Sequence, residues 1–170
     1  VAAAAQRYCQ TENCEFVLAL GDNFYETGVH STKDPKWRRL YRNIYDGLHL
    51  PFYAILGNHD ERGNVQAQIE YSKNDSTWRM PGRFYSVAFP QNSDLPVVEI
   101  FVINNGDDRF EPEEKAWLET ALATSRAHWK ILALHKPIIS NGHHGDDSAG
   151  INDELVPVIC GKIDLVISGH

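Results

Sequence analysis

Two short loops concentrate side chains that can do chemistry: Gly21-Asp22-Asn23-Phe24-Tyr25 and Gly57-Asn58-His59-Asp60. Between them they offer carboxylates, a phenol, amides and an imidazole. Hard oxygen donors mixed with imidazole suit divalent or trivalent metal ions, and two such loops predict more than one ion. The same arrangement recurs near the end of the chain, where Leu132-Ala133-Leu134 runs into His135 and Leu165-Val166-Ile167-Ser168-Gly169 runs into His170. His135 alone would read as a core histidine with its hydrogen bonds satisfied. Four strand ends tipped with ligand-type residues are harder to explain without a metal.

Such groups meet only if the elements that carry them converge. Apolar, strand-like runs at 16–20 and 52–56 lead directly into the two loops, and strands at 131–134 and 163–168 lead into the two histidines. Helical patterns alternate with them. Residues 2–10 and 64–71 read as helices, and 153–159 as a third. Asp34 caps a helix with Pro35 in its first turn and Trp37, Leu40, Tyr41 and Ile44 on one face. The helix over 112–125 opens on Pro112, Glu113 and Glu114 and gathers Trp117, Leu118, Ala121 and Leu122 on one side. Residues 84–89 and 97–103 read as neighbouring antiparallel strands around a turn region at 90–96, and 140–150 as a polar loop. Strands interleaved with helices imply an α/β layered fold, in which ligands gather at the carboxyl ends of the strands.

At 170 residues the chain is one domain or part of one. Its net charge of −7 gives no support to a nucleic-acid-coating role. An acidic protein that handles phosphate needs local positive charge, which bound metal ions supply. No apolar run is long enough to span a bilayer. The start, Val1-Ala2-Ala3-Ala4-Ala5-Gln6-Arg7, lacks the basic-then-apolar layout of a signal peptide and reads as the middle of a helix. Cys9 and Cys14 are close enough to close a small loop, but reduced thiols are at least as good a reading of Cys9, Cys14 and Cys160. Asn74-Asp75-Ser76 fits a glycosylation sequon and leans toward a secretory route.

Gly21-Asp22-Asn23-Phe24-Tyr25 with Thr27-Gly28-Val29, then Gly57-Asn58-His59-Asp60 and Gly63-Asn64-Val65-Gln66-Ala67-Gln68, resemble the metallophosphoesterase (calcineurin-like) superfamily. The tyrosine three residues after Asp22 narrows the resemblance to the purple acid phosphatases, of the tartrate-resistant type. The stretch from His135 to Gly145 and the pair Gly169-His170 extend it over almost the whole chain. The resemblance implies a β-sandwich flanked by helices. It implies a dinuclear centre of Fe(III) plus a divalent ion (Fe, Zn or Mn), where metal-activated hydroxide attacks a phosphomonoester. Asp22 would bridge the ions, Tyr25 would ligate the ferric ion, and Asn58, His135 and His170 would ligate the divalent one. His59 and His144 would stand near the phosphate and the leaving group. A secreted, lysosomal or vacuolar site goes with that family; protein partners are unknown.

The chain departs from the family pattern at Leu134, where glycine is usual, at Lys136, where an aromatic is usual, and at Ile103-Asn104-Asn105, where Leu-Asp-Thr is usual. It begins after the family's first aspartate loop and stops before a second histidine, so residues 1–170 are expected to be one incomplete catalytic domain. His143 is the fallback for His144. Lys136 could touch phosphate, but a surface lysine is the plainer reading, as a solvated loop is for Asp107 and Asp108. The competing functional hypothesis is a non-catalytic scaffold or subunit that keeps this fold.

Overall fold

The structure is a computed structural model and describes residues 1–145 and 150–170. The predicted loop at 140–150 therefore lies partly outside the described residues. Among the described residues, the strands form two sheets. The first is parallel and three-stranded, in the order β1 (Val17–Ala19), β2 (Phe52–Ala54), β3 (Trp78–Arg79). The second has four strands, β4 (Tyr85–Phe89), β5 (Val98–Val102), β6 (Trp129–Leu134) and β7 (Leu165–Ser168). Strands β4 and β5 pair antiparallel, as expected, whereas β5, β6 and β7 run parallel, with Phe101 opposite Leu132 and Leu132 opposite Val166.

Alternation along the strands sends side chains to two faces, and the core is layered accordingly. One cluster lies between the sheets, with Tyr53 and Ile55 of the first meeting Tyr85, Ile100, Val102 and Ala133 of the second. A second cluster covers the outer face of the first sheet and is dominated by aromatic rings. Trp37 stacks on Tyr71 at 3.6 Å between centroids and meets Phe24 and Trp78 edge-on at 4.6 and 5.2 Å. Each such ring stabilises the fold by roughly 1.5–3 kcal/mol through burial. A third cluster packs the outer face of the second sheet under helices.

The helices are α1 (Ala2–Thr11), α2 (Asn43–Tyr45), α3 (Asn58–Glu61), α4 (Val65–Asn74), α5 (Pro112–Thr124) and α6 (Asn152–Ile159). The helix expected after Asp34 is present but irregular. Asp34 Oδ1 accepts the Lys36 amide at 2.9 Å, then the chain runs π-helical over Trp37–Arg42 before α2 and a 3₁₀ turn. Helix α4 is capped by Asn64, whose side chain accepts the Ala67 amide at 3.1 Å. Helix α5 has the proline start and the acidic first turn read from the sequence. No described helix is long and apolar enough to cross a membrane.

Two expectations are corrected. Cys9 and Cys14 form a disulfide, so the reduced reading fails for that pair, while Cys160 is a free, exposed thiol. Lys136 is buried, not on the surface. The ligand-bearing strands are divided between the sheets: β1 and β2 belong to the first, β6 and β7 to the second.

Candidate metal centre

The site forms where the carboxyl ends of strands from both sheets come together. After β1 the chain turns through Gly21 (φ +88°) and Asp22 (φ +53°). Left-handed backbone is uncommon outside glycine, and aspartate is among the few residues that tolerate it. The turn is tightly enclosed. A Cβ on Gly21 would collide with His135 Nδ1, and one on Gly57 would collide with the Asp22 backbone amide. The glycines that open both motifs are therefore spacers that let two loops and an imidazole share one small volume.

His135 is the centre of the arrangement. Its side chain is 1% exposed. Nδ1 lies 2.7 Å from the Leu20 carbonyl oxygen, which can only accept, so Nδ1 carries the proton. Nε2 lies 3.1 Å from Asn58 Oδ1, 3.1 Å from His170 Nδ1 and 3.4 Å from Asp22 Oδ1. Burial holds the imidazole below its ordinary pKa, outweighing the Leu20 carbonyl and the Asp22 carboxylate, so the neutral ring is the favoured form. A lone pair on Nε2 thus faces the oxygens of an amide and a carboxylate. That set repels itself without a cation among its members and satisfies one with them. Ligand atoms of Asp22, His135 and His170 all lie within 4.8 Å of one another. The donor set, two imidazoles, one amide oxygen and one carboxylate, fits a divalent transition ion. A histidine whose second nitrogen is fixed by a carbonyl is the usual ligand geometry.

Asp22 presents two distinct oxygens. Oδ1 accepts the His59 backbone amide at 3.0 Å, and Oδ2 accepts the Tyr25 hydroxyl at 2.8 Å. Burial alone would raise its pKa, but these hydrogen bonds and the nearby imidazoles outweigh it, and the carboxyl is held below its ordinary value. Tyr25 moves the other way: partial burial, then its bond to Asp22, push the phenol up to about 12. His59 Nδ1 is tied to the Glu26 carbonyl at 2.6 Å, and its ring lies 4.3 Å from that of Tyr25. The His144 ring lies 4.4 Å from that of His170, and the His143 ring lies 5.3 Å from that of His144.

Two residues given no role in the sequence reading hold this geometry. Buried Asp60 accepts the backbone and side-chain amides of Asn23, the Gly57 amide and the Gln68 side chain, so one carboxylate staples the two motif loops together. Buried Asn105 accepts the amides of His135 and Lys136, each at 3.0 Å, and donates to the Lys136 carbonyl at 2.8 Å. It fixes the strand end that presents His135. The signal for Asp60 was its place in the loop motif; for Asn105 it was the departure at Ile103-Asn104-Asn105, which did not reveal its partners because these are distant backbone groups. Beside the centre opens a cleft of about 460 Å³, walled by Asn58, His144 and His170 on the ligand side and by Arg62, Lys136 and Asp108 elsewhere.

The family model described as calcineurin-like phosphoesterase matches residues 2–170. The chain belongs to the calcineurin-like phosphoesterase family. Among curated relatives, the tartrate-resistant acid phosphatase type 5 of Sus scrofa is 31% identical over 182 residues, covering 95% of this chain and 54% of its own length. That of Homo sapiens is 34% identical, covering 82% of this chain and 49% of its own. Purple acid phosphatase 17 of Arabidopsis thaliana is 32% identical, covering 92% and 52%. The chain thus spans about half the length of these relatives. A solved structure titled "GAP50 the anchor in the inner membrane complex of Plasmodium" superposes with a TM-score of 0.82 at 27% identity, covering 99% of this chain and 59% of that one. Membership of the calcineurin-like phosphoesterase family, with purple acid phosphatase relatives, implies a binuclear metal centre.

Proposed function

We propose that the protein is an acid phosphatase that hydrolyses phosphomonoesters at a dinuclear centre, and that residues 1–170 are part of one catalytic domain. The observation that carries this reading is the convergence on His135 Nε2 of the Asn58, Asp22 and His170 donors, with Nδ1 committed to Leu20. Asn58, His135, His170 and one oxygen of Asp22 would hold the divalent ion. Tyr25 and the other Asp22 oxygen would contribute to the Fe(III) position. Bound there, the ions supply charge for the phosphate oxygens and acidify water at neutral or lower pH.

The chain's own groups do the rest. Asp60 and Asn105 keep the ligands in register before any ion arrives, so little reorganisation accompanies binding. His59 has Nδ1–H committed to Glu26, so it is the imidazolium form that offers an Nε2–H to a phosphate oxygen. His144 borders the cleft beside His170, where an imidazole N–H reaches a departing alkoxide oxygen. The Cys9–Cys14 disulfide supports a secreted, lysosomal or vacuolar setting, since such bonds persist in oxidising compartments. Elemental analysis together with p-nitrophenyl phosphate hydrolysis tests the reading. Two ions per chain and turnover support it; a metal-loaded protein without turnover overturns it.

The second reading is a non-catalytic member of the fold. It is favoured by the solved neighbour, whose title describes an anchor. A folded protein that takes up no metal and turns over no phosphoester would establish it.

A further inference from the structure

The cleft beside the metal centre contains three carboxylates, and each already has a cation. Glu61 pairs with Arg83 at 2.7 Å, Asp107 with Arg109 at 3.6 Å, and Asp108 with Lys136. Among the described residues, one charge in the wall is not compensated. Arg62 is exposed to the cleft and has no ion-pair partner among the described residues. It directly follows α3, and its backbone amide closes that helix on the Asp60 carbonyl. Asn58 opens the same single turn. Residues four apart lie on one face of a helix, separated by about 6 Å of rise. Both side chains line the cleft, so Arg62 shares its wall with the proposed metal ligand Asn58.

We propose that Arg62 is a specificity-determining residue that binds a second anionic group on the substrate's leaving side, so that the site favours phosphoesters carrying another negative charge near the scissile group. This rests on the phosphatase reading above for the position of the first phosphate. Guanidinium suits the task because its planar fork donates two hydrogen bonds to one phosphate or carboxylate. The paired carboxylates around it act against loose binding: each is held by its own cation, so the anion meets Arg62 and not a field of free acids. Lys136, salt-bridged to Asp108 in the same wall, keeps the most exposed of those acids neutralised.

The test is equilibrium binding of inorganic diphosphate and of orthophosphate to the metal-loaded protein by calorimetry. Orthophosphate reports the centre alone; diphosphate reports the centre plus the neighbouring subsite. Arg62→Ala is expected to lower the ratio of diphosphate to orthophosphate affinity by about tenfold, the loss of a charge-assisted pair. Arg62→Lys should recover part of it. Arg38→Ala, the same charge change at an exposed position on the π-helical stretch, should leave the ratio alone. If the wild type binds both anions and Arg62→Ala leaves the ratio unchanged, or if Arg38→Ala shifts it equally, the subsite is overturned and the metal centre stands. If the wild type binds neither anion, both fall together.

Discussion

The Asp60 carboxylate accepts both amides of Asn23, the backbone N–H at 3.0 Å and the side-chain NH₂ at 3.2 Å, through one oxygen. The same oxygen takes the Gly57 amide at 3.0 Å, while its partner oxygen takes Gln68 at 3.0 Å. Burial pushes this carboxyl up to about 6, against the pull of those donors. Replacing it by an amide leaves one acceptor oxygen for several buried donors. Asp60→Asn is therefore expected to destabilise the fold by roughly 1–3 kcal/mol, the cost of an unsatisfied buried donor. It should also reduce metal content, although residue 60 is assigned no ligand role. Denaturant midpoints and elemental analysis check this; unchanged values for both would remove Asp60 from its positioning role.

Asp22→Asn keeps the shape of the proposed bridge and removes its charge. Turnover of p-nitrophenyl phosphate is expected to fall by about two orders of magnitude or more, with weaker metal loading. A variant that turns over like the wild type would take Asp22 out of the centre.

Tyr25→Phe removes the phenol oxygen that lies 2.8 Å from Asp22 Oδ2. In the iron-loaded protein, ligation by this phenol would give a visible charge-transfer band, which the variant should lack. Absorption spectra of equally loaded samples decide the matter. A band that survives assigns the colour to another group.

Glu114 lies away from the centre and gives a pH signature of its own. It is buried, Oε1 accepts the Asn104 amide at 2.6 Å, and burial pushes its carboxyl up to about 8 from an ordinary 4.5. Between those values the folded state holds a proton that the unfolded state has released. Its contribution to stability is thus fully present below about 4.5 and is lost as pH rises toward 8. Asp60 is only half ionised near 6, so it is the comparison of urea midpoints with Glu114→Gln from pH 6 to 8 that isolates Glu114. Stability should decline over that window in the wild type and decline less in Glu114→Gln. Parallel slopes would contradict the assignment.

The donor residues were legible in the sequence because they sit next to the strands that aim them. Asp22 and Asn58 follow apolar runs within a few residues, and His135 and His170 end such runs, so local pattern gave both residue type and position. The helices were legible where caps and faces agreed, as at Pro112 and Asn64. Strand β3 was missed because two residues, Trp78 and Arg79, are too few to show alternation. The π-helical stretch was missed because Trp37, Leu40 and Tyr41 carry the same apolar spacing as a regular helix; ring packing across to Tyr71 and Trp78 is a tertiary fact. Burial of Lys136 was hidden for the same reason. Its side chain is covered along its length, and its ammonium ends on Asp108, an exposed carboxylate 28 positions earlier in the chain. The role of Asn105 depends on backbone groups thirty positions away.

Two of the four clustered donors hang from each sheet: Asp22 and Asn58 from one, His135 and His170 from the other. An ion seated among them would rivet the halves of the sandwich to each other, adding a fastening at the rim to the greasy seam between the layers. Sliding one layer by a single residue would tear the donors apart, so occupancy of the rivet and the alignment of the layers must rise and fall together.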